Sequence, residues 1–325
     1  MKIILFRKLP RLILGRNSIA IMIAFATISL LYFQFQATPA GADPKAALKR
    51  HALEQMIPTQ MAELTLPTTN SGAGQGAGTL SGASALRVNL LMLEKGHARL
   101  SKVPDYTATF FRHERIRGKM GTPQLMQLKM RHAPFSIYLK WLTGADGQEV
   151  LYIENENDGK MIVHPGGWKG NLVSSVNLDP SGSKAMQDSR NPITEAGLLK
   201  LMEILIDNRK RDLKNDIGSL STMLDNQVVD DHDCFCFVIE YSDADRKKLP
   251  VDNPYRKSVI YIDKELLFPI HIQNYTWLTE EQQHAKNVDE MTLVERYSYK
   301  DIQLNTKLVS KDFDHANLEY HFTRR

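Results

Sequence analysis

The chain has 325 residues, 41 of them basic and 37 acidic, for a formal net charge of +4. Residues 1–42 hold five of the basic residues and no acidic one; taking those five from 41 leaves 36 against 37, so the positive balance belongs to the N-terminus. A nearly neutral remainder gives no electrostatic footprint for nucleic acid, and about 280 residues suffice for one large domain with an appendage.

Residues 1–42 have the layout of a secretory signal. Lys2, Arg7, Lys8, Arg11 and Arg16 form the basic leader, Ser18 to Phe33 is almost wholly apolar, and Ala40-Gly41-Ala42 supplies small residues for cleavage. Sixteen residues at 1.5 Å each span about 24 Å, short of a hydrocarbon core of about 30 Å, which favours a cleaved signal over a retained inner-membrane anchor. The expected location is the periplasm. Residues 43–66 carry a short helical pattern (Ala46, Ala47, Leu48, Ala52, Leu53, Met56, Met61), suited to a spacer or a partner-binding element. Residues 67–85 are rich in Gly, Ser, Ala and Thr, the composition of a flexible linker.

The folded domain is expected over 86–325. Leu86, Leu90, Leu91, Leu93, Ala98 and Leu100 fit an amphipathic helix from Leu86 to about Lys102. Strand patterns follow at Tyr106–Ile116, Gln124–Arg131, Phe135–Leu142, Glu149–Glu154 and Met161–His164, separated by Gly-rich turns, which predicts an antiparallel meander. Within it, Phe135, Ile137, Leu139 and Trp141 alternate with Ser136, Tyr138 and Lys140, giving one apolar face. Asn191-Pro192 is expected to cap a helix whose stripe is Leu198, Leu201, Met202 and Leu205, with a second, more polar helix over Leu213–Leu224. Strands resume at Cys234–Tyr241, Ser258–Ile262, Leu267–Trp277 and Met291–Tyr299. The pattern predicts an α+β fold: a curved antiparallel sheet forming an unclosed half β-barrel, with helices covering its concave face.

Reactive constellations are sparse. His132, between Arg131 and Pro134, suits either acid–base work or capping of backbone groups at a strand turn. Asp230-Asp231-His232-Asp233 has ligand-like density, but it also fits a polar hairpin turn. Cys234 and Cys236 fit two small core residues better than half of a zinc site. Arg112, His113, Glu114 and Arg115 lie on the first long strand, where a cross-strand ion pair of Glu114 with Lys129 or Arg131 is the economical expectation. There is no G-x-S-x-G, no H-E-x-x-H and no dinucleotide or phosphate-loop fingerprint. Catalysis, metals and cofactors are therefore not expected; a hydrolase using His132 or His113 is the enzymatic alternative. Phe110, Met126, Leu128, Met130, Phe135, Ile137, Leu139 and Trp141 form either a core or the wall of a cavity for acyl chains.

Asp105-Tyr106-Thr107-Ala108-Thr109-Phe110, Glu114-Arg115, Leu128 through Tyr138 and Glu149-Val150-Leu151-Tyr152 resemble the bacterial secreted family called domain of unknown function 1571. Asn191-Pro192-Ile193-Thr194 with Gly197, and Asp312-Phe313-Asp314 with Asn317, Tyr320 and Phe322, are similar to it as well. The resemblance covers roughly residues 88–322, and it singles out Glu114, Lys129, Arg131 and His132 as polar motif residues. It implies kinship with the lipoprotein carrier LolA and other periplasmic lipoprotein-sorting proteins. On that basis the expected partner is a lipid or lipoprotein acyl chain, with a membrane or envelope protein partner and a closed, dry scaffold as the alternative.

Overall fold

The computed structural model describes residues 80–170, 175–251, 253–282 and 286–322. The chain divides into residues 1–56 and 57–325, and every described residue belongs to the second unit. The signal, the 43–66 helical segment and residues 67–79 of the expected linker thus lie outside the described residues.

The described chain opens with a two-residue strand, β1 (Leu80–Ser81), and enters α1 (Gly82–Leu100) directly. The helix begins four residues before the expected Leu86, because Ala83, Ser84 and Ala85 extend its first turn and Ala85 is fully buried. Its buried line is Leu86, Leu93 and Leu100, whereas Leu91 is half exposed. Gly96 is required for close approach: a Cβ there would sit 2.1 Å from the Leu267 carbonyl oxygen.

The first half-sheet is a meander of β2 (Asp105–Ile116), β4 (Gln124–Arg131), β5 (Ser136–Thr143), β6 (Glu149–Ile153), β7 (Met161–His164) and β8 (Val176–Leu178), with the short β3 (Lys119–Met120) folded back on β2. The chain then forms a strap, residues 179–197, and the helix α2 (Leu198–Lys214). The second half-sheet is β9 (Thr222–Val229), β10 (His232–Glu240), β11 (Tyr255–Asp263), β12 (Pro269–Thr276) and β13 (Leu293–Leu304). β13 pairs antiparallel with β2, which joins the two meanders into one sheet in the order β1-β9-β10-β11-β12-β13-β2-β4-β5-β6-β7-β8. β1 and β8 remain unjoined edges, so the barrel is not closed. The α+β half-barrel expected from the sequence is the architecture found.

This topology decides where a site can lie. Strap and α2 connect the two half-sheets, and both pack on the inner face with α1. Leu198, Met202 and Leu205 are buried, as the helical stripe predicted. The expected cap is not found. Gly197, at φ 99°, is the residue before α2, and Ile193–Glu195 form a separate 3-10 turn. Gly197 is needed there because a Cβ would meet the Met130 Cε at 2.7 Å and the Tyr106 hydroxyl at 3.1 Å. The expected helix over Leu213–Leu224 is also absent. Asp216 and Gly218 adopt positive φ after α2 ends, and Thr222 onward is strand β9.

The outer face of β4–β6 is covered by the C-terminal tail. Phe313, Tyr320 and Phe322 form a second apolar cluster with Tyr138 and Leu151. The Tyr138 and Tyr320 rings stack at 4.1 Å. Ser136 and Tyr138, on the strand's polar side by alternation, are therefore buried too.

Candidate functional site

A cavity of about 350 Å³ opens on the inner face between the sheet, the strap and α2. Register places its wall. Phe110, Met126 and Trp141 are cross-strand neighbours on β2, β4 and β5, and Leu139, Val150 and Val163 continue the apolar surface to β7. Leu178 on β8, with Pro180, Ala185 and Met186 on the strap, encloses this apolar end.

The opposite end, over β2 and β11–β13, is polar. Glu114 on β2 lies directly across from Glu295 on β13, and both are buried. Two adjacent carboxylates would repel, so the compensation around them is decisive. Glu295 accepts hydrogen bonds from Tyr255 Oη (2.6 Å), Asn274 Nδ2 (2.7 Å) and Arg190 Nε (2.7 Å), and Tyr297 Oη lies 3.2 Å away. Glu114 accepts from Tyr297 Oη and from the Arg190 backbone N–H at 3.3 Å, with Arg112 Nη1 3.7 Å away. Burial pushes the Glu114 carboxyl above its ordinary range, against the pull of Arg112 and Tyr297. Burial, reinforced by the carboxylates, also holds the Tyr255 and Tyr297 hydroxyls protonated.

The same residues fasten the strap. Arg190 spans both carboxylates, Arg112 Nη1 donates to Ser189 Oγ at 2.9 Å, and Asn191 Nδ2 donates to Tyr297 Oη at 3.2 Å. Asn191 is thus a strap anchor rather than a helix cap. Because Glu295 is already met by donors on both oxygens, the pair acts as a latch and has little capacity left for a reacting group.

Of the residues expected on an apolar wall, Phe110, Met126, Leu139 and Trp141 line the cavity. Leu128, Met130 and Ile137 share that face but are packed into the core. Phe135 precedes β5, is only partly buried, and sits 6.0 Å from the Tyr152 ring. Among the polar motif residues, Glu114 alone reaches the cavity.

The expected ion pair of Glu114 with Lys129 or Arg131 is not formed. Arg112 faces Gln124 at the start of β4, so Glu114 lies beyond that strand, while Lys129 faces Thr107 at the far end. Lys129 and Arg131 point to the outer face and hold the tail. Lys129 Nζ reaches Asp312 Oδ1 at 2.7 Å, and the Arg131 guanidinium lies 4.8 Å from the Phe313 ring.

His132 Nδ1 is 2.6 Å from the Val103 carbonyl oxygen, the backbone-capping role, and burial lowers its pKa. His113 Nε2 is 2.9 Å from the Gly121 carbonyl oxygen, likewise with its pKa lowered by burial. Neither histidine lines the cavity or meets a hydroxyl, thiol or carboxylate among the hydrogen bonds of the described residues. Asp230 and Asp231 form the tip of the β9–β10 hairpin, both at positive φ. No group of His, Cys, Asp and Glu among the described residues suits a metal ion. Cys234 and Cys236 are free and buried, and burial raises each thiol pKa to about 12.

Glu295, Tyr297, Tyr255, Asn274 and Arg190 escaped sequence reasoning because the sheet order gathers them from distant segments. Alternation along β13 was the available signal: Glu295 and Tyr297 fall on the face that pairs with Glu114 and Arg112.

A search of curated proteins gives no match to this chain. Among solved structures, similarity is found to the lipoprotein LppX of Mycobacterium tuberculosis, at 9% identity over 70% of this chain and 99% of that chain, with a TM-score of 0.39. It is also found to LprF from Mycobacterium bovis, at 7% identity over 69% of this chain and 95% of that chain, with a TM-score of 0.37. The Pseudomonas aeruginosa MucA/MucB complex is similar at 13% identity over 71% of this chain and 60% of that chain, with a TM-score of 0.37. The family model described as protein of unknown function (DUF1571) matches residues 103–322, more than half of the chain and all of β2–β13 but not α1, and the protein belongs to that family.

Proposed function

We propose that this is an exported envelope protein that binds an apolar or amphipathic ligand, a lipid or a lipoprotein acyl chain, without chemical change to it. The observation that carries the proposal is the cavity: about 350 Å³, walled at one end by Phe110, Met126, Leu139, Trp141, Val150 and Val163, and roofed by a strap held through polar contacts. Pockets of this size and lining suit small apolar ligands. Each ~100 Å² of ligand surface removed from water contributes about 2.5 kcal/mol before the costs of association. Strap and α2 are the elements that would shift to admit the ligand, since both contribute to the lining and neither belongs to the sheet. The secretory layout of residues 1–42 supports a location in the periplasm.

Native mass spectrometry of protein purified from its host without detergent tests the reading. The expected result is a protein mass carrying a bound lipid that denaturation releases. A ligand-free mass, together with failure of the purified protein to take up a long-chain fluorescent fatty acid, would contradict it.

A further inference from the structure

The polar end of the cavity holds a charge that the protein leaves incompletely paired. Arg209, on the cavity-lining side of α2 with Leu201, Leu205 and Asn208, has a side chain only 3% exposed. Its Nη2 serves Tyr241 Oη (3.1 Å) and Asp212 Oδ2 (3.0 Å). Its Nε and Nη1 are buried and have no hydrogen-bond partner among the described residues. Asp212 is not Arg209's alone. Its Oδ1 accepts from Arg211 Nη2 at 3.0 Å, and its Oδ2 also accepts from Tyr241 Oη at 2.7 Å. One carboxylate therefore answers two guanidinium groups; Arg211 lies outside the lining and is a quarter exposed, while buried Arg209 keeps two nitrogens unmet.

The remaining charges in the lining do not supply the missing anion. Glu114 and Glu295 are engaged by Arg112 and Arg190. Asp188, Glu195 and Lys184 sit on the exposed strap, where water solvates them. A second orphan donor lies in the apolar wall, since Trp141 Nε1 is buried without a partner among the described residues. Both orphans are donors, and the unmet demand in the cavity is for acceptor atoms.

We infer that the ligand is an anionic amphiphile, its carboxylate or phosphate head on Arg209 at the polar end and its chain along the wall from Phe110 to Val163. This rests on the carrier reading and adds the head-group chemistry and the orientation. With Nη2 held by Tyr241 and Asp212, the free donors are Nε and Nη1, which point to different edges of the guanidinium, so an anionic head meets Arg209 through single charge-assisted hydrogen bonds rather than a side-on pair.

The test is competition by ligands of one chain length for a fluorescent fatty acid bound to the full chain. Palmitate and hexadecyl phosphate supply the anionic heads, hexadecanol the neutral head, and acetate and inorganic phosphate the heads without chains. The expected result is that both long anions bind at least about tenfold more tightly than hexadecanol, the worth of a charge-assisted hydrogen bond to a buried group. Arg209→Gln is expected to bring the affinities of palmitate and hexadecanol to within about twofold of each other, with saturable hexadecanol binding reporting that the cavity persists. Arg209→Lys is expected to retain part of the preference. Equal affinity of hexadecanol and palmitate for the native protein overturns the head-group assignment alone, as does a preference that survives Arg209→Gln. Competition by acetate or inorganic phosphate as strong as by the long anions overturns the amphiphile and leaves a small-anion site. If no long-chain ligand binds at all, the carrier reading itself fails.

Discussion

At the scale of single residues, Glu114 shows what the sequence disclosed and what it hid. Alternation from Phe110 through Arg112 placed it on the inner face of its strand, and it is there. Its partners were not legible, because Glu295, Tyr297 and Arg190 reach it only through the β13–β2 pairing and the strap. The charge pattern near Lys129 and Arg131 pointed elsewhere, and register excludes that pairing. The raised Glu114 pKa has a signed consequence. The native carboxyl keeps its proton to higher pH than the unfolded chain does, so its favourable contribution is complete below the ordinary carboxylate pKa. That contribution is lost as pH rises through the native value. Urea unfolding from pH 4 to pH 8 should therefore show the stability of Glu114→Gln rising relative to the native protein as pH increases. Parallel curves would mean that the native carboxyl titrates as an ordinary one.

Among the elements, strands were the most legible and helix ends the least. Strand alternation with Gly-rich turns located β2, β4, β6 and β7 to within a residue, since each has one face packed on the inner core. The start of α2 and the absence of a helix after Lys214 were set by tertiary demands. One is the close approach of Gly197 to Met130 and Tyr106; the other is the left-handed turn at Asp216 and Gly218. The tail motif acts only through its docking against Tyr138 and Leu151, which no local pattern in the sequence encodes. Glu149, fully buried, accepts from the His321 backbone N–H at 2.8 Å and lies 2.7 Å from the His321 ring; Tyr320 stacks on Tyr138 and contacts Lys129. Tyr320→Ala is expected to cost about 3 kcal/mol, the order found for buried aromatic truncations, and to expose the 310–322 backbone to hydrogen exchange. Unchanged stability and protection would show that the tail contributes nothing to the fold.

For the whole molecule, one topological fact links sequence to proposed function. The chain builds one half-sheet, crosses the inner face with a strap and a helix, builds the second half-sheet, and joins the two by β13–β2 pairing. The crossing segment leaves a cavity over the sheet, apolar toward β7 and polar toward β11–β13. The fold class and half of the apolar wall could be read from hydrophobic periodicity. The cavity could not, because Phe110 and Met126 line it while Leu128 and Met130, with the same periodicity, are core. The central claim is that an acyl chain occupies this space, and Trp141 on its wall can report on it. In a Trp168→Phe, Trp277→Phe background, where Trp141 is the one remaining tryptophan, a doxyl-labelled palmitate should quench its emission saturably, and unlabelled palmitate should restore it. Quenching no greater than that given by a free, chainless nitroxide would contradict occupancy of the cavity.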